Sequence, residues 1–356
     1  MKKRLLFSAI LAIHAFCFSS IFFLFTSCEN TDEEAKLFSK IKKLSSYRMN
    51  VEDKLGTVNS MKSINDYIVI TGKNIDTQAQ AQLINKKTKE SYFFGETGQG
   101  PGRLLQSSSI VPIDEMHIGI GDSQKRILFN FPIDSIIKNG IACQPEEMLK
   151  ELSISFTDIG HLNDNTYVAI GFINEPKRFI IINEDGIITS MGGSLPSKMH
   201  EQTSDFLHSY AYWGRLTTNP KENKIATCTN YAGIIQIYDL SKNEIQLMQE
   251  HILFLADYDD NEGNLGINPR TRWGYLSIDS NDKYIFALYS GMHQMGNKEE
   301  GVFLKSNAIH VFDWNGNPIS KLLLDRKLKT ICVDKDNLYG YDTETYDIVI
   351  YSLQDI

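Results

Sequence analysis

The chain has 356 residues and a formal net charge of −8 at pH 7, and 42% of its residues are hydrophobic. This composition suffices for a large buried core and excludes the disordered and collagen-like classes. The acidic balance also argues against nucleic acid as a partner, because binding to phosphates requires a basic footprint.

The N-terminal segment has the pattern of an export signal. Three basic residues at positions 2–4 precede an uncharged run from Leu5 to Phe25, the charged-then-apolar order of secretory signals. The run ends in Leu24-Phe25-Thr26-Ser27-Cys28, which resembles a bacterial lipobox, where the cysteine is lipidated and becomes the new N-terminus. The alternative is an uncleaved anchor helix, since about 20 apolar residues also span a bilayer.

An acidic segment, ENTDEE at 29–34, follows Cys28. It is similar to signals that move some Gram-negative lipoproteins to the outer face of the outer membrane, although a solvated spacer has the same composition. We therefore expect a signal peptide at 1–27, a lipidated cysteine with an acidic tether at 28–42, and one folded domain at 43–356. The expected location is the outer membrane, held by the lipid on Cys28, with periplasmic and surface-exposed orientations both open.

Removal of residues 1–27 takes away three basic and no acidic residues, which leaves 33 basic and 44 acidic residues and a net charge of −11. Besides Cys28, this part of the chain contains Cys143, Cys228 and Cys332. The last two lie in strand-like runs, where cysteine behaves as a small buried hydrophobe. The spacing predicts neither a disulfide framework nor a metal site, and no cofactor is expected.

A short pattern recurs six times along the rest of the chain. An acidic or Asn-containing turn is followed at once by an apolar, strand-like run, and the copies begin at Asn65, Asp114, Asn163, Glu222, Asn281 and Asp336. The steps between them are 49, 49, 59, 59 and 55 residues. Repetition at such a period indicates an architecture in which each copy is one structural unit.

Each unit continues with alternating apolar runs around a second turn, as in RFIIINEDGIITS at 178–190. Paired runs around Asn, Asp or Gly predict hairpins, so each unit predicts four short antiparallel strands. The second unit is the weakest, because Pro132 stands where a strand would continue. We predict an all-β, six-bladed β-propeller, in which radial stacking covers both faces of every sheet.

The chain ends on the third strand of the last unit, at DIVIYSLQDI. The missing outer strand is expected from the N-terminal segment around Tyr47–Lys54. Pairing of this first strand with the last would close the ring and protect an edge that would otherwise stay open.

Three motifs resemble those of one known family. The segment GETGQGPGR at 95–103 is similar to the GxGPGE segment of the TolB-like six-bladed propeller lipoproteins of Gram-negative envelopes. Tyr289-Ser290-Gly291 and the FDWNG turn at 312–316 resemble two further motifs of that family. The resemblance covers most of the chain after the signal and implies the same fold. The chain departs from the family at Arg103 and Leu104, where an acidic residue and an aromatic are usual.

The same glycine-rich segment has the composition of a phosphate-binding loop. A P-loop needs Lys and then Ser or Thr after its last glycine, and a dinucleotide loop needs a helix directly after it. Arg103 and Leu104 follow the last glycine instead, and Pro101 lacks a backbone N–H donor. We therefore interpret the segment as a structural corner in which glycine supplies positive φ.

Long connections are predicted on one face of the propeller only. They are Gly95–Gln106, Ser190–Tyr210, Gln249–Arg272 and Gly291–Asn307. Insertions confined to one face usually mark the binding side of a repeat protein.

Two of these connections lead into a matched motif, WGRL at 213–216 and WGYL at 273–276. Both tryptophans are expected at the mouth of the central channel, where an aromatic face beside a guanidinium can stack on a sugar, bind a carboxylate or anchor a peptide side chain. The alternative is that they only pack between blades. The candidate ligand-binding residues are Arg103, His208, Tyr210, Trp213, Arg215, Arg272, Trp273, Tyr275 and His293.

Asp257, Asp259 and Asn261 present oxygen donors at alternate positions, as calcium loops do. The match is weak, because an EF-hand needs glycine and glutamate where Glu262 and Asn268 stand. No other metal site is expected, and a solvated acidic loop accounts for the same residues.

The sequence contains no readable nucleophile–base or paired-carboxylate signature, so catalytic residues stay unassigned and non-enzymatic binding is favoured. We expect an envelope lipoprotein that binds a protein, peptide or glycan on the long-loop face. The alternative is a hydrolase or lyase with its site at the channel mouth, because fold alone does not decide function. A third interpretation is a structural module of a larger surface complex.

Overall fold

The computed structural model describes residues 31–53, 55–150, 152–163, 166–173, 175–199, 201–241, 245–296, 301–354 and 356. Cys28 and the predicted signal peptide lie outside this part of the chain. The chain divides into two compact units, Met1–Ser39 and Lys40–Ile356. In the first unit, helix α1 (Thr31–Leu37) contains an ion pair between Glu33 and Lys36. No helix among the described residues has the length and apolar character needed to cross a membrane.

The larger unit begins with two short strands, β1 (Ile41–Leu44) and β2 (Tyr47–Arg48). Four sheets follow, each of four consecutive antiparallel strands. Sheet I comprises β3 (Ser60–Ile64), β4 (Tyr67–Thr71), β5 (Ala79–Asn85) and β6 (Ser91–Glu96). Sheet II comprises β7 (Ser107–Pro112), β8 (His117–Asp122), β9 (Ile127–Pro132) and β10 (Glu146–Leu149). Sheet III comprises β11 (Ser155–Asn163), β12 (Thr166–Phe172), β13 (Lys177–Asn183) and β14 (Ile188–Ser194). Sheet IV comprises β15 (Gly214–Asn219), β16 (Lys224–Thr229), β17 (Ile234–Asp239) and β18 (Gln246–Ile252).

The C-terminal part of the chain forms a small hairpin and a larger sheet. The hairpin consists of β19 (Asp259–Asn261) and β20 (Asn264–Gly266). Sheet V has eight strands and includes β21 (Tyr275–Ser280), β22 (Tyr284–Tyr289), β23 (Ser306–Asp313), β24 (Pro318–Val333), β25 (Asn337–Asp342) and β26 (Asp347–Ser352). The first half of β24 pairs with β23, with Leu322 opposite Ile309, and its second half pairs with β25, with Ile331 opposite Gly340.

The two N-terminal strands join sheet V. Strand β1 runs parallel to β24, and β2 pairs antiparallel with β26, with Tyr47 opposite Ile350. The predicted pairing of the N-terminal segment with the last strand is thus present, although the regular strand ends at Arg48. Asp347 strengthens it, because its carboxylate accepts from Arg48 Nε at 3.1 Å and from the backbone N–H groups of Ile348 and Val51 at 2.7 and 3.4 Å.

The repeated Asn/Asp turns form as the pattern predicts, because their side chains replace missing backbone partners. Asn281 Oδ1 accepts from the N–H groups of Lys283 and Tyr284 at 3.0 and 2.9 Å. Asp334 Oδ1 binds the corresponding N–H groups of the last repeat at 3.0 and 2.8 Å. Such side-chain bonds stabilise the tight reversal between the first and second strands of a sheet. In sheet I, Lys89 takes the positive φ of 69° that glycine supplies in other hairpins.

Six strands lie side by side in a closed series. They are the first strands of sheets I to IV, β21 of sheet V, and β24, whose second half begins the last repeat. In order, β3 contacts β7, then come β11, β15, β21 and β24, and β24 contacts β3. Apolar clusters fill the space between neighbouring sheets. One joins Leu83 and Phe94 of sheet I to Phe129 of sheet II, and another joins Met61 of sheet I to Ile348 of sheet V. The predicted all-β propeller of four-stranded antiparallel blades is therefore confirmed.

Short helices interrupt this pattern at two places where the sequence suggested strand or loop. Pro132 ends β9 and precedes helix α2 (Ile133–Asn139), because its φ of −67° suits a helix entry and it has no N–H to lose. Helix α3 (Asp205–Ala211) begins at Ser204, whose Oγ accepts from Leu207 N at 3.1 Å. Single 3₁₀ turns occur at Gly140–Ala142 and Val302–Leu304.

The glycine-rich segment forms the corner between sheets I and II. Gly95 and Gly102 have φ values of 71° and 69°, which non-glycine residues rarely adopt. The N–H of Leu104 donates to Glu96 O and that of Gly98 to Leu104 O, both at 2.9 Å. The loop carbonyls instead surround Lys125 Nζ, which lies 2.7 Å from Arg103 O and 3.0 Å from Gly100 O. The segment therefore binds a lysine of its own chain and has the structure of a corner.

Replacement of Asp347 by alanine tests the pairing of β2 with β26. We expect Asp347→Ala to lower the free energy of unfolding by about 1–3 kcal/mol, because three donors lose their acceptor at a buried position. Urea denaturation monitored by circular dichroism measures this value.

The control for this experiment is Asp282→Ala. Asp282 pairs with Lys221 at 2.6 Å, but both side chains are more than 70% exposed, so a change within about 0.5 kcal/mol is expected. Equal effects of the two substitutions would contradict a special role for Asp347 in the pairing.

Candidate functional site

The two Trp-Gly pairs lie at the starts of β15 and β21, where the backbones of neighbouring segments pass very close. A Cβ atom on Gly214 would lie 1.7 Å from the carbonyl oxygen of Cys228, and one on Gly274 would lie 1.8 Å from that of Ala232. Only glycine fits at these approaches. The repeated motif thus has a structural cause, and it fixes each tryptophan directly before a first strand.

Seven aromatic rings form a continuous series across sheets III to V, here called the aromatic arc. In order they are Phe206, Phe172, Tyr210, Trp213, Tyr231, Trp273 and Phe303. Centroids of neighbouring rings are separated by 5.0 to 6.3 Å. The pairs Tyr210–Trp213 and Trp273–Phe303 are stacked. Ring pairs at such distances attract one another, so each ring helps to hold its neighbour in place.

A cavity of about 580 Å³, here called the mouth cavity, lies beside the arc. Four arc residues line it: Phe172, Tyr210, Trp213 and Trp273. Much of the remaining wall consists of hydroxyl and carboxamide side chains, namely Asn59, Gln106, Ser107, Ser108, Ser123, Gln124, Ser155, Thr157 and Asn230. The volume is within the range of small-ligand sites.

Three cationic side chains, Arg126, Arg215 and Lys329, also line the mouth cavity. No Asp or Glu is among the described residues that form its wall. None of the three cations makes an ion pair within the described part of the chain. The cavity therefore concentrates positive charge, although the chain as a whole is acidic.

Arg215 is held in a fixed orientation by the first strands of two other sheets. Its Nη1 donates to Ser108 O at 3.1 Å and to Thr157 O at 3.2 Å. Its Nε and Nη2 donate to no described atom and are not among the buried atoms of the chain that lack a partner. Nη1 of the guanidinium is thus anchored, and the edge formed by Nε and Nη2 has no hydrogen-bond partner among the described residues.

Acidic side chains line a different cavity from the three cations. Burial, with a contribution from neighbouring Arg215, lowers the pKa of Lys329. A second cavity, of about 190 Å³, lies further along the first strands and contains Asp158, Lys62 and Asp279. Burial raises the pKa of Asp158, against the opposing effect of Arg215. Burial acts to lower the pKa of Lys62, but its ion pair with Asp279 raises it overall.

A buried arginine fixes the backbone in front of Trp213. Arg178 is 4% exposed and donates through Nη1 to Tyr212 O and through Nη2 to Cys228 O, the latter at 2.8 Å. Burial lowers the pKa of its guanidinium. Arg178 does not line the mouth cavity, but it positions the peptide that precedes Trp213.

Four of the nine predicted ligand residues line the mouth cavity: Tyr210, Trp213, Arg215 and Trp273. The structure places Tyr275 in the interior instead, fully buried, with its hydroxyl 3.1 Å from His310 Nδ1. A β-bulge between Tyr275 and Ser277 shifts the register of β21, whereas β15 pairs without a shift. Since a shift of one residue exchanges the two faces of a strand, Leu276 takes the cavity position expected for Tyr275.

The remaining predicted ligand residues stabilise loops outside the mouth cavity. His208 is 2% exposed, its Nε2 lies 2.8 Å from Pro196 O, and burial lowers its pKa. Arg272 lies over the ring of Phe254 at 4.2 Å and donates to Gly291 O at 2.9 and 3.0 Å. His293 forms an isolated β-bridge with Arg272, and Arg103 forms an ion pair with Glu96 at 3.1 Å.

Carboxylate oxygens of two weak calcium candidates, Asp257 and Asp259, have protein partners. Asp257 binds Arg270 Nε at 2.8 Å, and Asn268 Nδ2 donates to both Asp257 and Asp259 at 3.0 and 3.1 Å. Asn261 lies on the small hairpin, paired with Asn264. Among the described residues, no group of three His, Cys, Asp or Glu side chains could hold a metal ion.

Sequence reasoning missed Lys329, Arg126, Phe172 and the polar wall of the mouth cavity. Lys329 lies within the long strand β24, and Phe172 ends β12. Lys329 could have been found from its position in the repeat. It lies near the start of the inner strand of the last repeat, which is the second half of β24, just as Arg215 lies near the start of the inner strand of sheet IV. Arg126 and Phe172 carry no comparable signal, since only the packing of sheets II and III brings them to the cavity.

Comparison with known proteins supports the fold. A family model described as "TolB-like 6-blade propeller-like" matches residues 82–336. No curated protein matches the chain. A member of the DUF4221 family from Bacteroides vulgatus is similar with a TM-score of 0.54 and 11% identity, over 87% of this chain and 96% of its own. A putative exported protein from Bacteroides fragilis is similar with a TM-score of 0.53 and 13% identity, over 88% of this chain and 98% of its own. At these identities the likeness shows the fold alone.

Substitution of Gly274 tests the explanation of the repeated motif. We expect Gly274→Ala to lower the free energy of unfolding by about 1–3 kcal/mol, because the new methyl group overlaps Ala232 O and forces the backbone apart. Thermal denaturation followed by tryptophan fluorescence reports both the stability and the environment of Trp273.

Gly100→Ala is the matched control. A Cβ atom there would lie 3.5 Å from the nearest heavy atom, an ordinary contact, so stability should change by less than about 0.5 kcal/mol. A Gly274→Ala protein as stable as the control would show that close backbone approach is not the reason for this glycine.

Proposed function

The chain belongs to the TolB-like 6-blade propeller-like family, and on that basis we propose that it binds an anionic ligand in the mouth cavity, as a lipoprotein of the bacterial envelope. The observation that carries this proposal is the Nε/Nη2 edge of Arg215, which has no partner among the described residues. Two backbone carbonyls orient it in a cavity whose described wall contains no carboxylate. A peptide, a protein segment or a glycan could supply the anionic group.

The proposal includes a count of six blades closed by the N-terminal strand. Sheets I to IV supply four blades. In sheet V, β21–β23 with the first half of β24 form the fifth, and the second half of β24 with β25, β26 and β2 forms the sixth. The closed series of six first strands supports this count. Strand β24 is continuous because the outer strand of one blade leads into the inner strand of the next without a loop.

Electrostatics favours an anion at the mouth cavity over a neutral ligand. An unpaired, partly buried cation is unfavourable unless something compensates it. Lys329 has this environment, since burial and Arg215 lower its pKa. A bound carboxylate would compensate Lys329 and Arg215 together, and a planar guanidinium edge fits a carboxylate in bidentate geometry.

The expected cellular location belongs to the same proposal. The signal at 1–27, the lipid on Cys28 and the acidic tether would hold the propeller at the outer membrane, and either face of that membrane is compatible. The described part of the tether includes helix α1. Non-enzymatic binding accounts for the site without a catalytic assignment.

Replacement of Lys329 by methionine tests the binding site. We expect Lys329→Met to keep or raise the unfolding temperature, because it removes a partly buried cation next to Arg215. We expect affinity for carboxylated probes to fall at least about tenfold, as for loss of a charge-assisted contact. Titration calorimetry with tetragalacturonate and with tetraglutamate measures the affinity, which should also weaken as salt rises.

Lys87→Met is the control for this measurement, because Lys87 is 76% exposed, pairs with Asp66 and lies far from the mouth cavity in the hairpin between β5 and β6. It should leave the affinity unchanged. If neither probe binds the unmodified protein, the proposal of an anion-binding site is wrong.

Replacement of Cys28 by serine tests lipidation. We expect Cys28→Ser to abolish labelling with radioactive palmitate and to release the protein from the membrane fraction. Cys17→Ser, within the apolar run of the signal, should change neither property. Retention of Cys28→Ser in the membrane would favour the uncleaved anchor helix, since that helix does not need the cysteine.

A further inference from the structure

We infer that the ligand of the mouth cavity is an oligosaccharide that contains uronic acid residues, with its sugar rings along the aromatic arc and a carboxylate at Arg215 and Lys329. This inference rests on the proposed function and names its ligand class. Three independent features of the cavity carry it: the arc, the composition of the polar wall, and the position of the cations.

The aromatic arc gives an extended apolar surface, whose neighbouring rings between Phe172 and Trp273 are inclined to one another by 14° to 59°. Four of its seven members line the cavity, and they come from three different segments of the chain. The face of an aromatic ring is electronegative, so it attracts the weakly positive C–H groups on the apolar face of a sugar ring. Four aromatic rings in one wall can contact several linked sugars, whereas a single peptide side chain would contact only one or two of them.

The polar wall fits hydroxyl groups. Nine neutral hydroxyl or carboxamide side chains line the cavity, and such groups both donate and accept hydrogen bonds, as sugar hydroxyls do. Two polar atoms of lining residues lack a partner among the described residues: Asn230 Oδ1, in a residue 4% exposed, and Trp213 Nε1. Both atoms are covered by neighbouring protein atoms, so the groups that a sugar meets are the more exposed carboxamides and hydroxyls of the wall, such as Asn59, Gln106 and Ser155.

Peptide recognition fits the cavity less well. An added β-strand requires an unpaired strand edge, and an amphipathic helix requires an apolar groove. Here the carbonyls of Ser108 and Thr157 on the first strands already accept from Arg215. Outside the aromatic arc, the wall is mainly polar. A peptide would therefore use the cations but leave the polar wall unmatched.

The cations select an acidic sugar over a neutral one. Arg215 presents a guanidinium edge and Lys329 an ammonium group at the same cavity, and both lie within reach of the polar wall. Lys329 also lines a neighbouring cavity of about 450 Å³ that contains Tyr341 and Tyr346. Its wall also includes Lys73 and Asp76, so Lys329 stands between the mouth cavity and a second space of mixed charge.

Binding of defined oligosaccharides to the full-length protein in detergent tests the inference. By titration calorimetry, tetragalacturonate should bind at least about tenfold more tightly than its fully methyl-esterified form, which has the same rings but no carboxylates. It should also bind at least about tenfold more tightly than monomeric galacturonate, because the monomer occupies only one position of the arc. Tetraglutamate should bind more weakly than tetragalacturonate.

Two variants separate the parts of the site, and circular dichroism checks that each is folded. Trp273→Leu should weaken the binding of tetragalacturonate by a larger factor than the binding of monomeric galacturonate, since it shortens the arc and keeps the cations. Arg215→Lys should weaken both, because an ammonium group lacks the bidentate edge.

The results of wild-type binding alone also decide the inference. Tighter binding of tetraglutamate than of tetragalacturonate would overturn it and leave the proposed anion-binding function intact. Equal binding of the esterified and free oligosaccharides would overturn the role of the carboxylate. Absence of binding by every probe would overturn both the inference and the proposed function.

Discussion

The structure depends on one constraint: a sheet of four short strands has two faces and can cover neither alone. Each sheet of this chain therefore buries its faces against its neighbours. The cluster that joins Phe94 to Phe129 fills the space between sheets I and II, and that which joins Met61 to Ile348 fills the space between sheets I and V. The second cluster joins an early sheet to the last one. The short pairing of β2 with β26, stabilised by the carboxylate of Asp347, therefore helps to hold the two ends of the ring together.

The same constraint creates the candidate site. Since every sheet contributes its first strand to a common centre, residues far apart in sequence meet where these strands begin. Trp213, Arg215, Trp273 and Lys329 occupy such starts, and the mouth cavity is the space between them. The glycines after the two tryptophans allow the close backbone contacts that fix these starts. Scaffold and site are therefore made by the same short segments.

The cationic side chains of the mouth cavity lower the stability of the fold, because burial of an unpaired charge is unfavourable, and a bound anion would offset this cost. Arg215 and Lys329 are like charges at one cavity, and burial together with their proximity lowers the pKa of Lys329. The carboxylates Asp158 and Asp279 line the second cavity, where Asp279 already binds Lys62. Such an arrangement is unfavourable for the unliganded fold, and groups of this kind are typical of functional sites. The rest of the ring is apolar between its sheets and supplies the stability that tolerates them.

The sequence alone determined the repeat, the propeller class, the pairing of its two ends and the role of the glycine-rich corner, because each of these follows from local alternation, turn chemistry or chain order. It also found the Trp-Gly motifs and thereby Tyr210, Trp213, Arg215 and Trp273. Tertiary structure alone decided which equivalent positions face the cavity: a bulge in β21 turned Tyr275 inward and brought Leu276 to the wall. It likewise brought Lys329 and Arg126 to the same cavity as Arg215. The position of Lys329 in the repeat can be read from the sequence, but the meeting of these residues depends on how the sheets pack around the axis.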